Sequence, residues 1–210
     1  MNKKDKVVEI LKLLKKEYKI TGPFIIWSNP LELLIGIILS AQCTDVRVNI
    51  VTKELFKKYI TASDYANADI KTLEKEIYST GFYKSKAKAL KETGRIITED
   101  LNGEVPDNLE DLLKLRGVSH KTAYLVLAKL YDKNDGLAVD THVFRLSKRF
   151  GLSDANTPIK MSKELSDLIN PSEYLSWNEY LITHGRAICG RKPKCNECVL
   201  KNICDKNINK

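Results

Sequence analysis

Ten stretches of this chain place apolar residues three and four apart, and no stretch alternates them in the way a strand does. VVEILKLLKKEY, LELLIGIILSAQ, VNIVTKELFKKYI, IKTLEKEIYST, SKAKALKETGRIITEDL, LEDLLKL, KTAYLVLAKLY, THVFRLSKRF, IKMSKELSDLI and SEYLSWNEYLITHGRAI all carry the helical period. Breakers fall between them at Gly22-Pro23, Asn29-Pro30, Gly81, Gly103 to Pro106, Gly117, Gly136, Gly151 and Pro171. The pattern predicts an all-α fold with about ten helices on short turns and no internal repeat. With 210 residues and 43% hydrophobic content, the chain can fill one large core or two modest ones.

The most apolar run, Leu33 to Ala41, holds about nine residues where a membrane span needs about twenty. It reads as a buried helix, and no membrane partner is expected. The opening residues show no small-residue cleavage site after an apolar core, so no export signal is expected and the location is read as cytoplasmic. The formal net charge of +8 makes a polyanion a plausible partner. That excess sits at the two ends: residues 181–210 hold seven Lys or Arg against two acids, and residues 1–20 hold seven against three. If the ends pack together, they form one positive surface; the plainer reading is a set of solvated lysine-rich helices.

Four of the 5 cysteines fall in CGRKPKCNECVLKNIC, residues 189–204. In a reducing compartment such a group is a metal site more often than a set of disulfides. Cys189, Cys195, Cys198 and Cys204 can hold either zinc or an iron–sulfur cluster, and spacing leaves the two open. Zinc sites usually show two close pairs, whereas C-x5-C-x2-C-x5-C has one. Between the first two thiols, Arg191, Lys192 and Lys194 form a short basic loop that could press on a nucleic-acid backbone. Cys43, outside the group, reads as a small buried residue.

LKLRGVSHKTAYLVLAKL, residues 113–130, reads as helix, tight turn, helix. Gly117 permits a backbone conformation closed to other residues, and Ser119 can cap the second helix. The N–H groups at such a helix start are a seat for phosphate. Lys121 lies in the first turn, where the helix macrodipole works against a further positive charge, and a lysine amine can form a Schiff base with a sugar carbon. In LAVDTHVFRLSKRF, residues 137–150, Asp140 reads as an N-cap; a capping carboxylate in a groove can steady positive charge or deprotonate a nucleophile. His142 reads as a phosphate contact or a satisfied core residue.

These features share their order with a known family. LLIGIILSAQCTDVRVN (33–49), STGFYKSKA (79–87), NGEVPDNLEDLLKLRGVSHKTA (102–123), AVDTHVFRLSKR (138–149) and LITHGRAICGRKPKCNECVLKNIC (181–204) together resemble the endonuclease III family of helix-hairpin-helix DNA glycosylases, over nearly the whole chain. The resemblance implies a six-helix domain at 21–134 and a second domain, formed by 1–20 and 135–210, carrying a [4Fe–4S] cluster, with the active site in the groove between them. It implies a monomer acting on double-stranded DNA with damaged bases or abasic sites, nucleoid-associated in a prokaryote. Lys121 then matches the lysine that attacks the sugar C1′ and Asp140 the aspartate that assists, giving base removal and β-elimination at oxidised pyrimidines such as thymine glycol.

The same resemblance makes Gln42 the residue that fills the space left by a flipped nucleotide and Phe82 part of the apolar wedge, with Gly117 and Ser119 at the DNA backbone. Asp45 and His142 match supporting positions, and the four cysteines match the cluster ligands. The chain departs from the family pattern twice. The usual leucine-proline-glycine-valine-glycine hairpin reads Leu115, Arg116, Gly117, Val118, Ser119 here, and the first two cysteines enclose five residues in place of six. A mismatch-specific glycosylase on the same scaffold is the nearer rival, against which Lys121 argues. A non-catalytic DNA-binding or electron-transfer protein is the more distant one.

Overall fold

The computed structural model describes residues 1–206 and divides into two compact units. One is Gly22–Tyr131; the other joins Met1–Thr21 to the chain from Asp132 onward. Residues 207–210, included in the sequence-expected cluster domain, lie outside the described residues. Every regular element among the described residues is helical, and no described helix is long and apolar enough to cross a membrane.

The Gly22–Tyr131 unit contains α2 (Pro30–Ser40), α3 (Asp45–Lys58), α4 (Ala62–Asn67), α5 (Ile70–Glu76), α6 (Tyr83–Asp100), α7 (Leu109–Lys114) and α8 (His120–Tyr131), with a 3₁₀ turn at Tyr78–Thr80. The short α4, which none of the ten periodic stretches covers, precedes α5. Its six residues are too few for a periodic signal, but Thr61 and Asp64 form a reciprocal capping box at its start. Asn29, Thr44, Asp69 and Asn108 cap α2, α3, α5 and α7 by accepting a backbone N–H three residues on, so polar residues set where these helices begin. The apolar α2 runs through the core, with Leu34, Ile35 and Leu39 fully buried among Leu55, Tyr65, Leu73, Leu90 and Val126.

The other unit closes the chain's beginning onto its end. Its helices are α1 (Lys3–Glu17), α9 (Thr141–Arg149), α10 (Pro158–Ser166) and α11 (Tyr174–Ala187), with 3₁₀ turns at Pro171–Glu173 and Cys195–Glu197. One stripe of α1, formed by Val7, Ile10, Leu11 and Leu14, is buried with Val143 and Leu146 of α9, Met161 of α10, Trp177 and Leu181 of α11, and Leu200. Removing those four side chains from water contributes about 6–12 kcal/mol before the cost of ordering the helix. Polar contacts reinforce the closure: Lys15 pairs with Glu173 at 2.8 Å, Lys3 Nζ donates to the Leu152 carbonyl at 2.9 Å, and Lys6 pairs with Asp205.

Candidate nucleic-acid interface and metal centre

Between α7 and α8 the chain reverses through Leu115, which is buried, and Gly117, which has a φ of +86°. A Cβ on Gly117 would stand 3.2 Å from Ala89 Cβ and 3.4 Å from Ile38 Cγ2, so both backbone and space favour glycine. Thr93 Oγ1 donates to the Arg116 carbonyl at 3.0 Å and ties the turn to α6. Ser119 is the N-cap of α8: its Oγ accepts the Thr122 N–H at 3.4 Å and its carbonyl accepts the Ala123 N–H at 2.8 Å. Arg116, Gly117 and Ser119 are exposed, and Lys121, in the first turn of α8, is half-buried. The hairpin thus presents its turn to solvent while fixing the helix that carries the lysine.

Gln42 does not end α2. The helix stops at Ser40, and Gln42 lies beyond it with a φ of +53°, exposed. Phe82 precedes α6 with a φ of +50° and is 66% exposed. Asp45 opens α3 and is half-buried. Sequence reasoning missed Lys86 of α6, which is 6% exposed and donates its ammonium to the carbonyls of Leu39 and Thr80, each at 2.8 Å. Burial pushes that ammonium below the usual lysine range. In sequence it is one of 35 basic residues, and nothing local marks it.

In the other unit, Asp140 caps α9 as read, its Oδ1 accepting the Val143 N–H at 2.7 Å. The preceding Leu137-Ala138-Val139 run is buried. Ser162 Oγ donates to the Leu137 carbonyl and Asn178 Nδ2 to the Ala138 carbonyl, both at 2.7 Å, so α10 and α11 anchor the segment leading to Asp140. His142 is half-buried; its Nδ1 lies 3.2 Å from Arg145 Nη2 and would be only 2.5 Å from a Cβ on Gly185, which lets α11 pass close to α9. Lys121 and Asp140 belong to different units.

All four clustered cysteines line one cavity, with Arg149, Phe150, Ile188 and Pro193. Arg149 is 7% exposed and donates to the carbonyls of Cys189, Gly190 and Arg191, and to Cys189 Sγ at 3.3 Å. Arg145 adds two bonds to the Cys189 carbonyl. Backbone N–H groups of Leu200 and Lys206 point at the sulfurs of Cys198 and Cys204, at 3.4 and 3.3 Å. Sulfurs ringed by N–H donors in one cavity are a donor set suited to a thiolate-bound metal group. Among the described residues, no three His, Cys, Asp or Glu side chains converge on a point for one ion.

His184, fully buried, has Nδ1 2.8 Å from the Tyr18 hydroxyl and Nε2 3.5 Å from Cys198 Sγ. Burial pushes its imidazole down to about 4 and the Tyr18 phenol up to about 12, so both are neutral at pH 7. Arg191, Lys192 and Lys194 are exposed on the loop whose backbone Arg149 holds. Cys43 is half-buried against the core of the first unit.

Residues 35–171 match the model of a family described as HhH-GPD superfamily base excision DNA repair protein. The chain belongs to the HhH-GPD superfamily. The matched span takes in Gln42, Phe82, the hairpin, Lys121 and Asp140, while the cysteine segment lies beyond it. This HhH-GPD chain is 45% identical to an endonuclease III of Synechocystis over 97% of its own length and 93% of the relative's. Its fold is similar to a non-covalent endonuclease III–DNA complex, with a TM-score of 0.92 and 36% identity, covering 99% of this chain and 97% of that one. A trapped covalent endonuclease III–DNA intermediate is equally similar, with a TM-score of 0.92 and 36% identity over 99% and 98% of the two chains.

Proposed function

We propose that this DNA glycosylase and abasic-site lyase of base excision repair acts on oxidised pyrimidines, such as thymine glycol, in duplex DNA through a Schiff base at Lys121. The observation that carries the reading is the place of Lys121: it sits in the first turn of a capped helix, directly after an exposed hairpin turn, in a chain similar to a trapped covalent intermediate. The Lys121 amine displaces the damaged base at C1′, forming a C–N bond as the glycosidic bond breaks. Opening of the sugar gives the imine. Loss of a C2′ proton then expels the 3′ phosphate, and water returns the amine. Asp140, an acid anchored by α9, takes the place of the carboxylate that assists the attack.

Gln42 and Phe82, exposed at the ends of two loops, enter the space left by the flipped nucleotide, and flipping is easiest where pairing is already weakened. The Gly117–Ser119 turn and the basic 191–194 loop contact phosphates, and a single copy of the chain suffices. Cys189, Cys195, Cys198 and Cys204, which line one cavity, would hold a [4Fe–4S] cluster, whose thiolate ligation would cross-link the segment. The deciding experiment is borohydride trapping on duplexes carrying thymine glycol or an abasic site. Wild type is expected to give a covalent adduct and a nick, and Lys121→Ala to lose both by at least about a thousandfold. An adduct that persists in Lys121→Ala would overturn the mechanism, and preference for an undamaged mismatch would overturn the substrate.

A further inference from the structure

Gln42 and Phe82 share an unusual backbone. Both are non-glycine residues with φ near +50°, a region that Asn and Asp enter readily but that strains a long or bulky side chain. Both are exposed, so their own side chains have little packing to hold that conformation. Strain of this kind persists only where the surroundings fix it. On the inner side of both loops lies one buried cation. Leu39, in the last turn of α2, and Thr80, at the end of the 3₁₀ turn before Gly81-Phe82, each leave a carbonyl without a helical partner. The Lys86 ammonium occupies both, at 2.8 Å each, while its backbone N–H donates to the Phe82 carbonyl at 3.0 Å. One residue therefore bonds to the chain three residues before Gln42, two before Phe82, and at Phe82 itself.

We propose that Lys86 is a positioning residue that holds the Gln42 and Phe82 loops in a fixed mutual register, so that the two side chains enter a duplex together. The proposal rests on the reading of Gln42 and Phe82 as insertion residues. Lys86 touches no DNA; it acts through the two backbones it joins. A cation suits this place because two carbonyl oxygens face it and an ammonium has three donors, which leaves no acceptor of its own to satisfy. The greatest demand on the register comes from a base-paired lesion, which must be unstacked and its place filled. An abasic site demands less, because no base has to leave the stack.

The experiment compares Lys86→Met, which keeps the length and removes the donors, with wild type on a thymine glycol duplex and on an abasic duplex. Base removal is expected to fall about tenfold further than abasic nicking, with the loss in kcat rather than KM. Amide hydrogen exchange at residues 41–43 and 80–82 is expected to quicken together. In a Gln42→Ala/Phe82→Ala background the Lys86→Met effect should shrink toward nothing, because the residues through which it acts are gone. Equal loss of both activities, or a fully additive triple variant, would make Lys86 a mere core residue and overturn the proposal. If Gln42→Ala/Phe82→Ala, made with Lys86 intact, leaves base removal untouched, the insertion reading fails first and the proposal with it. Should Lys86→Met not fold, Lys86→Arg must show the same split at smaller amplitude, and an equal loss in that variant overturns the proposal as well.

Discussion

Arg149 donates one guanidinium nitrogen to the Gly190 carbonyl at 2.6 Å and the other to the Arg191 carbonyl at 3.2 Å, so the last residue of α9 holds the chain that follows the first clustered cysteine. Its replacement by Met is expected to strand those part-buried carbonyls, together with the buried carbonyl of Cys189, and lower stability by about 2–3 kcal/mol in urea unfolding. If the four cysteines hold the proposed cluster, iron per protein should fall with it. A variant that binds a full complement of iron would show that the loop needs no such support.

The Asp140 carboxylate caps α9, and the proposed chemistry asks a second, separable role of it. Asn caps as well as Asp, so Asp140→Asn should keep the melting temperature close to wild type while turnover drops by about 10²–10⁴. Asp140→Ala should lose the cap too, for about a further 1 kcal/mol of stability. Equal activity in wild type and Asp140→Asn would remove the carboxylate from the chemistry.

Gly117→Ala places a methyl group at a φ of +86° and 3.2 Å from Ala89 Cβ. A penalty of about 1–2 kcal/mol is expected from the backbone alone. The hairpin should relax to relieve it, which binding to an abasic duplex would register as a raised Kd. Unchanged affinity and melting temperature would mean that the turn tolerates a side chain.

Arg191, Lys192 and Lys194 are exposed, so alanine at any one of them should leave the fold alone. Each replacement should weaken DNA binding almost independently of sequence and reduce the slope of log K against log salt by about 1. A slope that stays at the wild-type value in the triple variant would take this loop off the DNA.

Much of the fold was legible because helices announce themselves locally. Period, caps and breakers lie within a few residues of one another, which is why the hairpin, Ser119 and the Asp140 cap could be read directly. The element that escaped, Ala62–Asn67, is shorter than two turns and marked only by its capping box. The stretch LELLIGIILSAQ reads as a helix ending at Gln42, whereas the chain leaves the helix two residues earlier. What holds the site in place was not legible at all. Lys86 reaches 47 residues back to Leu39, Asn178 reaches 40 back to Ala138, and Arg149 reaches 41 forward to Gly190. Partners so distant in sequence leave no periodic trace, and a lysine that will be buried looks like any other.

The packing of α1 sets an order on the birth of the molecule. Val7, Ile10, Leu11 and Leu14 leave the ribosome well before Trp177 and Leu181, which cover them and follow only after about 170 residues, a wait of about 10–35 s at ordinary translation speeds. Throughout that interval the nascent chain carries an uncovered apolar stripe, while the stretch from Gly22 to Tyr131 has every partner its own core requires as soon as Tyr131 is made. Made before its partners, α1 is among the last pieces to find its seat.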